Sequence, residues 1–494
     1  FTTDIFQGFF VFALALHDLG KFARSFQGLA RIEDCDLVPD TGKIYARKHD
    51  LLGTALWQED LLGHFAEPRC AGGTMDMDTE DALDLWLGCF FGHHGKPALA
   101  GGTPLEADFE EADRAAALSF TQAAEELLSP QWPHEHLRDE QWREQRLAPV
   151  TWQLAGLAIL CDWLGSNVDF FPYCAEPKSL AEYWEADALP GAQQALKSAG
   201  LLERPTTTSF PGFTQAFGFA PTPLQDWAEN VPLAAGPQLF LLEDITGSGK
   251  TEAALTLAHR LLAEGHGSGL YFGLPTMATS NAMYQRLGTH YRQLYSEESR
   301  PSLVLAHGAR HLSETFTASV VPEPNADQPY SRDDQTAGAE CRAWLADSRK
   351  KALLAEVGVG TIDQALLGVL PRKHQALRLL GLADKVLVVD EVHAYDLYTD
   401  TLLHTLLEEH ARQGGSAILL SATIPHHQRQ ELADAWQRGR RSESVTLGGE
   451  GFPLATQMHD QGLREEPLAA RPASRKDLPV RLVHDSDEAL ERVL

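Results

Sequence analysis

Cysteine is scarce in this sequence and lacks the spacing that would give it a structural role. The 494 residues contain six cysteines, and no two of them form a Cys-x-x-Cys pair. This distribution argues against a zinc knuckle and against a disulfide framework. It is typical of a protein kept in a reducing compartment, so we predict a cytoplasmic location.

Long apolar runs are also missing. The longest, Phe9 to Leu16, falls well short of the roughly 20 residues that a membrane-spanning helix needs. The N-terminus lacks the order of basic, apolar and small residues that marks a secretory signal. We therefore predict no membrane association. Hydrophobic residues still make up 44% of the chain, enough for sizeable cores, and the length predicts two or more domains.

Positive charge is in short supply, since the formal net charge is -28. A protein that binds phosphate backbones usually presents a basic face, so composition by itself speaks against nucleic-acid binding. Local basic clusters do occur at 349–351, 372–373 and 438–441. Such clusters are more often solvated surface than a binding path.

The pattern of apolar residues changes once along the chain. Residues 1–202 are rich in helix formers with apolar positions three and four apart, which predicts an all-α domain. A Pro/Thr/Gly-rich linker follows at 203–237. Short apolar runs then alternate with helical stretches over 238–455, which predicts an α/β domain around a buried parallel sheet. We expect a polar insertion loop at 315–338 and a second linker at 456–494.

A Gly-rich segment in the α/β half has the context of a phosphate-binding loop. In "LLEDITGSGKTEAAL" it follows an apolar strand and opens a helix, so backbone amides and the helix N-terminus converge on phosphate. Lys250 is suited to the β- and γ-phosphates and Thr251 to Mg²⁺. Asp244 stands where the strict pattern has glycine. The predicted ATP-binding residues of the loop are Thr246, Gly247, Ser248, Gly249, Lys250 and Thr251.

A second strand of this half ends in acidic residues. In "KVLVVDEVH", Asp390 is placed to bind Mg²⁺ through water, and Glu391 to polarise the attacking water. His393 is suited to relay between ATP and the rest of the domain. An Asp-Glu pair after a strand is common, but together with the Gly-rich loop it predicts an ATPase that uses ATP with Mg²⁺.

Histidines and aspartates punctuate the apolar helices of the first half. They occur in "LALHDLGKF", "RKHDLLG", "FFGHHGK" and "AILCDWLGSN", where an unpaired polar side chain would be costly to bury. Metal coordination removes that cost, whereas the alternative is a helical domain with hydrogen-bonded core histidines. The predicted ligands are His17, Asp18, His49, His93, His94 and Asp162. Lys21 is placed to meet phosphate, and Ser166, one turn beyond Asp162, to orient substrate.

These motifs resemble the HD phosphohydrolase superfamily, and in their order they resemble the nuclease-helicases of type I CRISPR systems. The resemblance implies two divalent ions for phosphodiester hydrolysis, with Asp18 bridging them and with Lys21 and Glu391 assisting catalysis. Imidazole-rich ligation favours Fe²⁺, Mn²⁺, Co²⁺ or Ni²⁺ over Mg²⁺. The family also uses a histidine upstream of the His-Asp pair, and no histidine precedes His17 in this sequence.

The α/β half resembles the first RecA-like domain of superfamily 2 DExH helicases. The resemblance makes Gln225 of "PTPLQ" an adenine-reading residue and gives "SAT" (Ser421 and Thr423) the coupling of hydrolysis to movement. It also makes Thr276 and Thr361 donors to the phosphates of single-stranded DNA, with Ser166 a further DNA contact. A second RecA-like domain would be needed to close the ATP site, and we find none in the sequence. We therefore expect a fragment that turns ATP over poorly alone.

The resemblance implies a 3′ to 5′ single-stranded DNA translocase joined to a metal-dependent single-stranded DNA nuclease. Its partner would be an RNA-guided CRISPR surveillance complex at an R-loop, in the destruction step of type I interference. Two alternatives remain open. The HD half could be a nucleotide phosphohydrolase with a regulatory ATP-binding domain, or the chain could be a non-catalytic DNA-remodelling subunit.

Overall fold

The computed structural model describes residues 2–29, 43–65, 69, 75–95, 104–174, 176–307, 320–321, 341–342, 352–372 and 374–470. Apart from 320–321, the predicted insertion loop at 315–338 lies outside the described residues. So do the basic clusters at 349–351 and at Lys373, and the end of the chain from 471 onward.

The first half is helical, as predicted. Its α-helices are α1 Thr3–Ala15, α2 Arg24–Gln27, α3 His49–Leu56, α4 Leu62–Phe65, α5 Met77–Phe91, α6 Glu111–Leu128, α7 His134–Leu137, α8 Glu140–Trp142, α9 Thr151–Gly165, α10 Leu180–Tyr183 and α11 Leu189–Ala199. Large aromatic side chains of α1 and α5, among them Phe9, Phe12, Trp86 and Phe90, form much of its core. These helices therefore bury the apolar faces that their spacing predicted.

The second half is built on an eight-stranded sheet in the order β10-β9-β1-β8-β7-β2-β6-β3. Its strands are β1 Gln238–Glu243, β2 Gly269–Leu274, β3 Leu303–Ala306, β6 Val357–Thr361, β7 Lys385–Val389, β8 Ala417–Ser421, β9 Leu454–His459 and β10 Gly462–Pro467, and a separate pair is formed by β4 Val320–Val321 and β5 Cys341–Arg342. Strands β1, β2, β3, β6, β7 and β8 pair in parallel. Strands β1, β6, β7 and β8 are buried along their whole length, as a covered parallel sheet requires.

The sheet is mostly parallel, as predicted, and two antiparallel strands extend it at one edge. Strand β9 pairs antiparallel with β1, and β10 pairs antiparallel with β9. The proposed domain end at residue 455 therefore falls inside β9, and the sheet runs on to Pro467 rather than giving way to a linker at 456. The alternation in β10, which is exposed on one face, is too short and too polar to stand out in the sequence.

Helices cover both faces of this sheet, and the predicted linker supplies two of them. The α-helices are α12 Phe213–Phe217, α13 Pro223–Asn230, α14 Lys250–Ala263, α15 Met277–Gly288, α16 Ile362–Leu366, α17 Gln375–Leu382, α18 Leu397–Arg412 and α19 His426–Arg440. Trp227 of α13 is buried in the core of the α/β half, and its indole donates a hydrogen bond to Glu466 of β10. Part of the segment 203–237 therefore belongs to the folded α/β half and does not serve only as a linker.

Two helical stretches, Thr3–Phe22 and Glu140–Gly165, are long and apolar enough to cross a membrane if only length and composition are considered. Polar residues interrupt both stretches, so neither forms a long uninterrupted apolar run in the sequence. They are 39% and 33% buried inside the protein, and core helices of soluble proteins and signal sequences can have the same length and composition.

The two halves meet through helix α9 of the first and helix α17 of the second. Ile159 of α9 packs with Ala376 and Leu377 of α17 in a small buried cluster. Gly156 lies at the closest approach, where a Cβ atom would stand 2.5 Å from the Ala376 carbonyl oxygen and 2.8 Å from Leu380 Cβ. Because α9 also carries Asp162, this contact links the α/β half to the predicted metal site.

We predict that Gly156→Ala lowers stability by about 1–3 kcal/mol, because the added methyl group must push α17 away from α9. Urea unfolding followed by tryptophan fluorescence would measure the change. The matched control is Gly165→Ala on the same helix, where an added Cβ meets nothing within 4 Å. Equal midpoints for Gly156→Ala and Gly165→Ala would contradict the close approach of the two helices.

Candidate functional site

Four helical segments carry the predicted metal ligands to one place in the first half. His17 and Asp18 follow the end of α1, and His49 is the first residue of α3. Gly92 separates the His93–His94 pair from the end of α5, and Asp162 lies one turn before the end of α9. The segments are distant in sequence, so only the packing of these helices brings the side chains together.

Asp18 lies at the centre of the cluster. Its Oδ1 atom is 3.4 Å from His49 Nε2 and 3.8 Å from His93 Nε2. Its Oδ2 atom is 3.2 Å from His17 Nε2 and 2.6 Å from Lys21 Nζ. The carboxylate therefore has one oxygen directed toward each side of the cluster, the arrangement needed to bridge two cations. Lys21, expected at a substrate phosphate, is paired with Asp18 here.

The ligand atoms fall into two neighbouring groups. In one, the donor atoms of His49, His93 and His94 lie within 4.8 Å of one another, and in the other those of His17, His93 and Asp162 do so. The Nε2 atoms of His94 and His49 are 2.8 Å apart, and His17 Nε2 is 3.7 Å from Asp162 Oδ1. Since His93 belongs to both groups, the two potential ion positions adjoin.

Backbone carbonyls fix the orientation of two of these imidazoles. His17 Nδ1 donates to Leu14 O at 2.6 Å, and His93 Nδ1 donates to Phe90 O at 3.0 Å. A carbonyl oxygen only accepts, so the proton must be on Nδ1 in both rings. Each Nε2 atom is then turned toward the cluster, as in metal sites whose histidines are held by an outer hydrogen bond.

Three atoms at the centre have no hydrogen-bond partner among the described residues. They are His17 Nε2, Asp18 Oδ1 and His93 Nε2, and all three are buried. Leaving buried polar atoms unpaired is costly, and three of them within one cluster need a common explanation. Imidazole nitrogens and carboxylate oxygens are suitable ligands for divalent transition-metal ions. The donor set thus fits the predicted ions.

The charges of the cluster are strongly coupled. Burial alone would lower the pKa of His17, but its contacts with Asp162 and Asp18 outweigh burial and raise that pKa to about 9. Burial raises the pKa of Asp18, yet His17 and Lys21 bring it well below its usual value. The pKa of His93 falls to about 4 because of burial and the charge of His17. A cation entering the site near neutral pH must therefore displace a proton from His17.

Glycine and tyrosine residues that the sequence argument overlooked support this geometry. A Cβ atom on Gly20 would overlap the carbonyl oxygen of His49 and stand 2.7 Å from Gly53 N. The turn after Asp18 thus contacts the start of α3 without any side chain between them. Tyr45 places its hydroxyl 3.3 Å from His49 Nδ1 and accepts from His49 N at 2.7 Å. The glycines of the motifs "HDLG" and "HDLLG" were the sequence signal that could have indicated this close contact between the turn and α3.

In the second half, the Gly-rich loop lies between β1 and α14 as predicted. Gly247 and Gly249 have φ angles of +76° and +93°, which glycine adopts freely. Lys250 is buried, and its Nζ donates to Asp244 O at 2.6 Å and to Ile245 O at 3.0 Å. The lysine therefore lies folded over the loop, where incoming phosphates would compete for its ammonium group.

A cleft of about 620 Å³ opens in front of this loop. It is lined by Phe219, Ala220, Thr222, Gln225, Thr246, Gly247, Gly249, Lys250, Thr251, Glu252, Arg286, Asp390 and Glu391. Of the predicted ATP-binding residues, Ser248 and His393 do not line it, and Ser248 is buried. Arg286 of α15, which the sequence argument passed over, lines it and forms an ion pair with Glu252. Gln225 Nε2 donates to Gly249 O at 3.1 Å.

The acidic strand end and the "SAT" segment are linked through His393. His393 Nε2 lies 3.1 Å from Glu391 Oε2, and its Nδ1 lies 2.9 Å from Ser421 Oγ. Burial and the charge of Glu391 raise the pKa of Asp390. Thr423, also predicted for coupling, contributes its carbonyl oxygen, which accepts from Ser421 Oγ at 3.0 Å. A continuous polar path therefore runs from the ATP cleft to β8.

The predicted DNA-contacting residues differ in accessibility. Thr276 is exposed and caps α15, its hydroxyl accepting from Thr279 N at 3.2 Å. Thr361 is only 6% exposed, because it ends a buried strand and its carbonyl accepts from the Tyr271 hydroxyl. Ser166 donates to Asp162 Oδ1 at 3.2 Å, so it contacts the metal cluster. Thr361 therefore exposes little surface in this structure, and its contact with DNA stays a prediction.

We predict that Gly20→Ala disrupts the metal cluster, because the methyl group must separate the Asp18 turn from α3 and hence from His49. Metal content after dialysis against Mn²⁺ should fall by at least half, and the free energy of unfolding by about 1–3 kcal/mol. Gly88→Ala on α5, where an added Cβ meets nothing within 4 Å, is the control. Full metal content in Gly20→Ala would refute this role for the turn.

Comparisons with known proteins agree with both halves. A family model described as "Cas3, HD domain" matches residues 1–171. A "CRISPR-associated endonuclease/helicase Cas3" of Thermus thermophilus is 40% identical over 309 residues, covering 60% of this chain and 32% of that protein. The matched segments cover about a third of the length of these curated relatives.

Solved structures extend the similarity to the whole chain. A T. fusca Cas3–AMPPNP structure matches with a TM-score of 0.76 and 30% identity, over 98% of this chain and 53% of that one. A chain from a structure titled "CRISPR RNA-guided surveillance complex, pre-nicking" matches with a TM-score of 0.61 and 28% identity, over 98% and 50% of the two chains. Residues 1–171 thus match the HD domain of Cas3, and the chain as a whole is similar to CRISPR-associated Cas3 nuclease/helicases.

Proposed function

We propose that this chain cuts single-stranded DNA in its HD half and binds and hydrolyses ATP in its α/β half to move that DNA in the 3′ to 5′ direction. The single observation that carries the nuclease assignment is the group of buried, unpaired ligand atoms His17 Nε2, Asp18 Oδ1 and His93 Nε2. Their positions suit adjoining divalent ions rather than a core of hydrogen-bonded histidines.

The proposed cofactors of the HD half are two ions of Fe²⁺, Mn²⁺, Co²⁺ or Ni²⁺. The ligands would be His49, His93 and His94 on one side and His17 and Asp162 on the other, with Asp18 between. Bound ions would activate a water molecule and stabilise the leaving oxygen of the phosphodiester. Lys21, which is 39% exposed, can turn from Asp18 toward a substrate phosphate.

Residues of the α/β half would bind ATP with Mg²⁺ in the cleft before the Gly-rich loop. Lys250 would exchange its two carbonyl partners for phosphate oxygens, and Thr251 and Asp390 would hold Mg²⁺. Glu391 would orient the attacking water, and His393 would transmit the change to Ser421. Gln225, held by the capping of α13, would meet the base. Thr276, exposed at the start of α15, would contact the DNA backbone.

We further propose that the chain acts in CRISPR interference on a target opened by an RNA-guided surveillance complex, in the cytoplasm. The basis is its likeness to a chain in a structure whose title names such a complex. The proposal for the whole activity extends beyond this chain, because its curated relatives are about twice as long and are matched over only 35% and 32% of their length.

We predict that Asp18→Ala and Lys250→Ala separate the two activities. Asp18→Ala removes the central ligand, so cleavage of a labelled single-stranded oligonucleotide with Mn²⁺ should fall at least about 100-fold while ATP binding and DNA-stimulated hydrolysis persist. Lys250→Ala should abolish ATP binding and turnover and leave metal-dependent cutting of the short oligonucleotide in place.

The matched controls are Asp60→Ala and Lys197→Ala, which remove the same charges from outside both sites. Release of phosphate from deoxynucleotides, tested in parallel, distinguishes a nucleotide phosphohydrolase from a nuclease. Equal loss of both activities in both variants would overturn the assignment of two separate sites.

A further inference from the structure

A second potential metal site lies far along the sequence from the HD cluster, between α18 and α19 of the α/β half. These helices follow the neighbouring parallel strands β7 and β8 and pack against one another. Asp400 and His404 are four residues apart on α18, and His427 and Glu431 are four apart on α19. Residues four apart share one helix face, so each helix presents one imidazole and one carboxylate.

The ligand atoms of Asp400, His404 and Glu431 all lie within 4.8 Å of one another. His404 Nε2 and Asp400 Oδ2 are 3.8 Å apart, a distance too long for a hydrogen bond. Two ligands of a tetrahedral ion, each about 2.1 Å from it, stand roughly 3.4 Å apart. The separation therefore suits two ligands of one ion. The HD cluster shows comparable separations of 3.4–3.8 Å.

Ordinary pairing within the protein does not account for these side chains. His404 Nε2 is buried and has no hydrogen-bond partner among the described residues. Farther along the contact between α18 and α19, Arg438 Nε donates to Glu408 at 3.0 Å, and Arg440 donates to Ala411 O at 3.0 Å. Among the described residues, no lysine or arginine forms an ion pair with Asp400 or Glu431. Arginines therefore bond across one end of the helix contact, whereas the two carboxylates at the other end face each other without an arginine or lysine partner among the described residues.

We propose that Asp400, His404 and Glu431 bind one divalent transition-metal ion such as Zn²⁺ between α18 and α19. One imidazole and two carboxylates, with a water molecule in the fourth position, are a ligand set that Zn²⁺ accepts in tetrahedral geometry. The cation would also neutralise the two carboxylates that face each other between α18 and α19. The inference stands apart from the HD site and does not depend on the proposed nuclease function.

The location suggests what such an ion does. Helix α18 begins four residues after His393, and α19 begins three residues after Thr423. An ion held by the N-terminal halves of both helices ties together the two segments that lead out of the ATP cleft. It would stabilise this lobe and restrict the relative movement of the acidic strand end and the "SAT" segment.

The test uses the full chain with Asp18→Ala and His93→Ala, so that the HD cluster no longer contributes the same binding. Calorimetric titration of this protein with Zn²⁺ should show about one tight equivalent, and Zn²⁺ should raise its melting temperature. Adding His404→Gln, or Glu431→Gln on the exposed side of α19, should remove that equivalent and that rise. The control is His64→Gln, which changes an exposed histidine of the helical half.

Melting temperatures without metal show whether each variant folds, and Glu431→Gln provides a substitution of an exposed residue should the partly buried His404→Gln variant unfold. Substitution of Co²⁺ for Zn²⁺ gives an independent readout, because the visible absorption of a four-coordinate Co²⁺ should disappear in both variants. Unchanged Zn²⁺ stoichiometry and an unchanged Co²⁺ spectrum in His404→Gln and Glu431→Gln would overturn the proposal.

Discussion

The helical half is organised around the cost of burying charged and polar groups without water. Asp18 and its histidines lie inside a domain whose other core residues are aromatic and aliphatic, and three of their atoms find no hydrogen-bond partner among the described residues. Such a cluster is stable only if something replaces the lost hydration. The carbonyl contacts behind His17 and His93 show that the rings are held with their free nitrogens toward a common centre.

One helix of the predicted metal site also connects the helical half to the α/β half. Helix α9 carries Asp162 on one side and packs through Gly156 and Ile159 against α17 on the other. A shift of the α/β half relative to the first would therefore act on a helix that carries one of the predicted ligands. In the α/β half, His393 is the residue that links two segments, since it contacts both the acidic strand end and Ser421.

Much of this was predictable because short motifs carry their chemistry in local spacing. The Gly-rich loop and the acidic strand end were placed correctly because parallel strands put their carboxyl ends at one edge of a sheet. The predicted metal ligands converge in the structure, although their role as ligands stays a prediction. The roles of Gly20 and Tyr45 were missed, because a glycine or tyrosine signals nothing until its contact across the fold is known. Arg286 was missed for the same reason, and the burial of Thr361 was not visible in its motif.

The sequence by itself determined the helical first half, the mostly parallel sheet of the second, and the residues able to carry metal and ATP chemistry. These follow from periodicity and from motifs whose members lie within a few residues of one another. The tertiary structure alone decided that the sheet continues through β9 and β10, that Asp18 occupies the centre of its cluster, and that α18 and α19 bring two carboxylates face to face. The physical reason is that each of these depends on contacts between segments far apart in the chain, whose distance and orientation are set by packing and leave no local pattern.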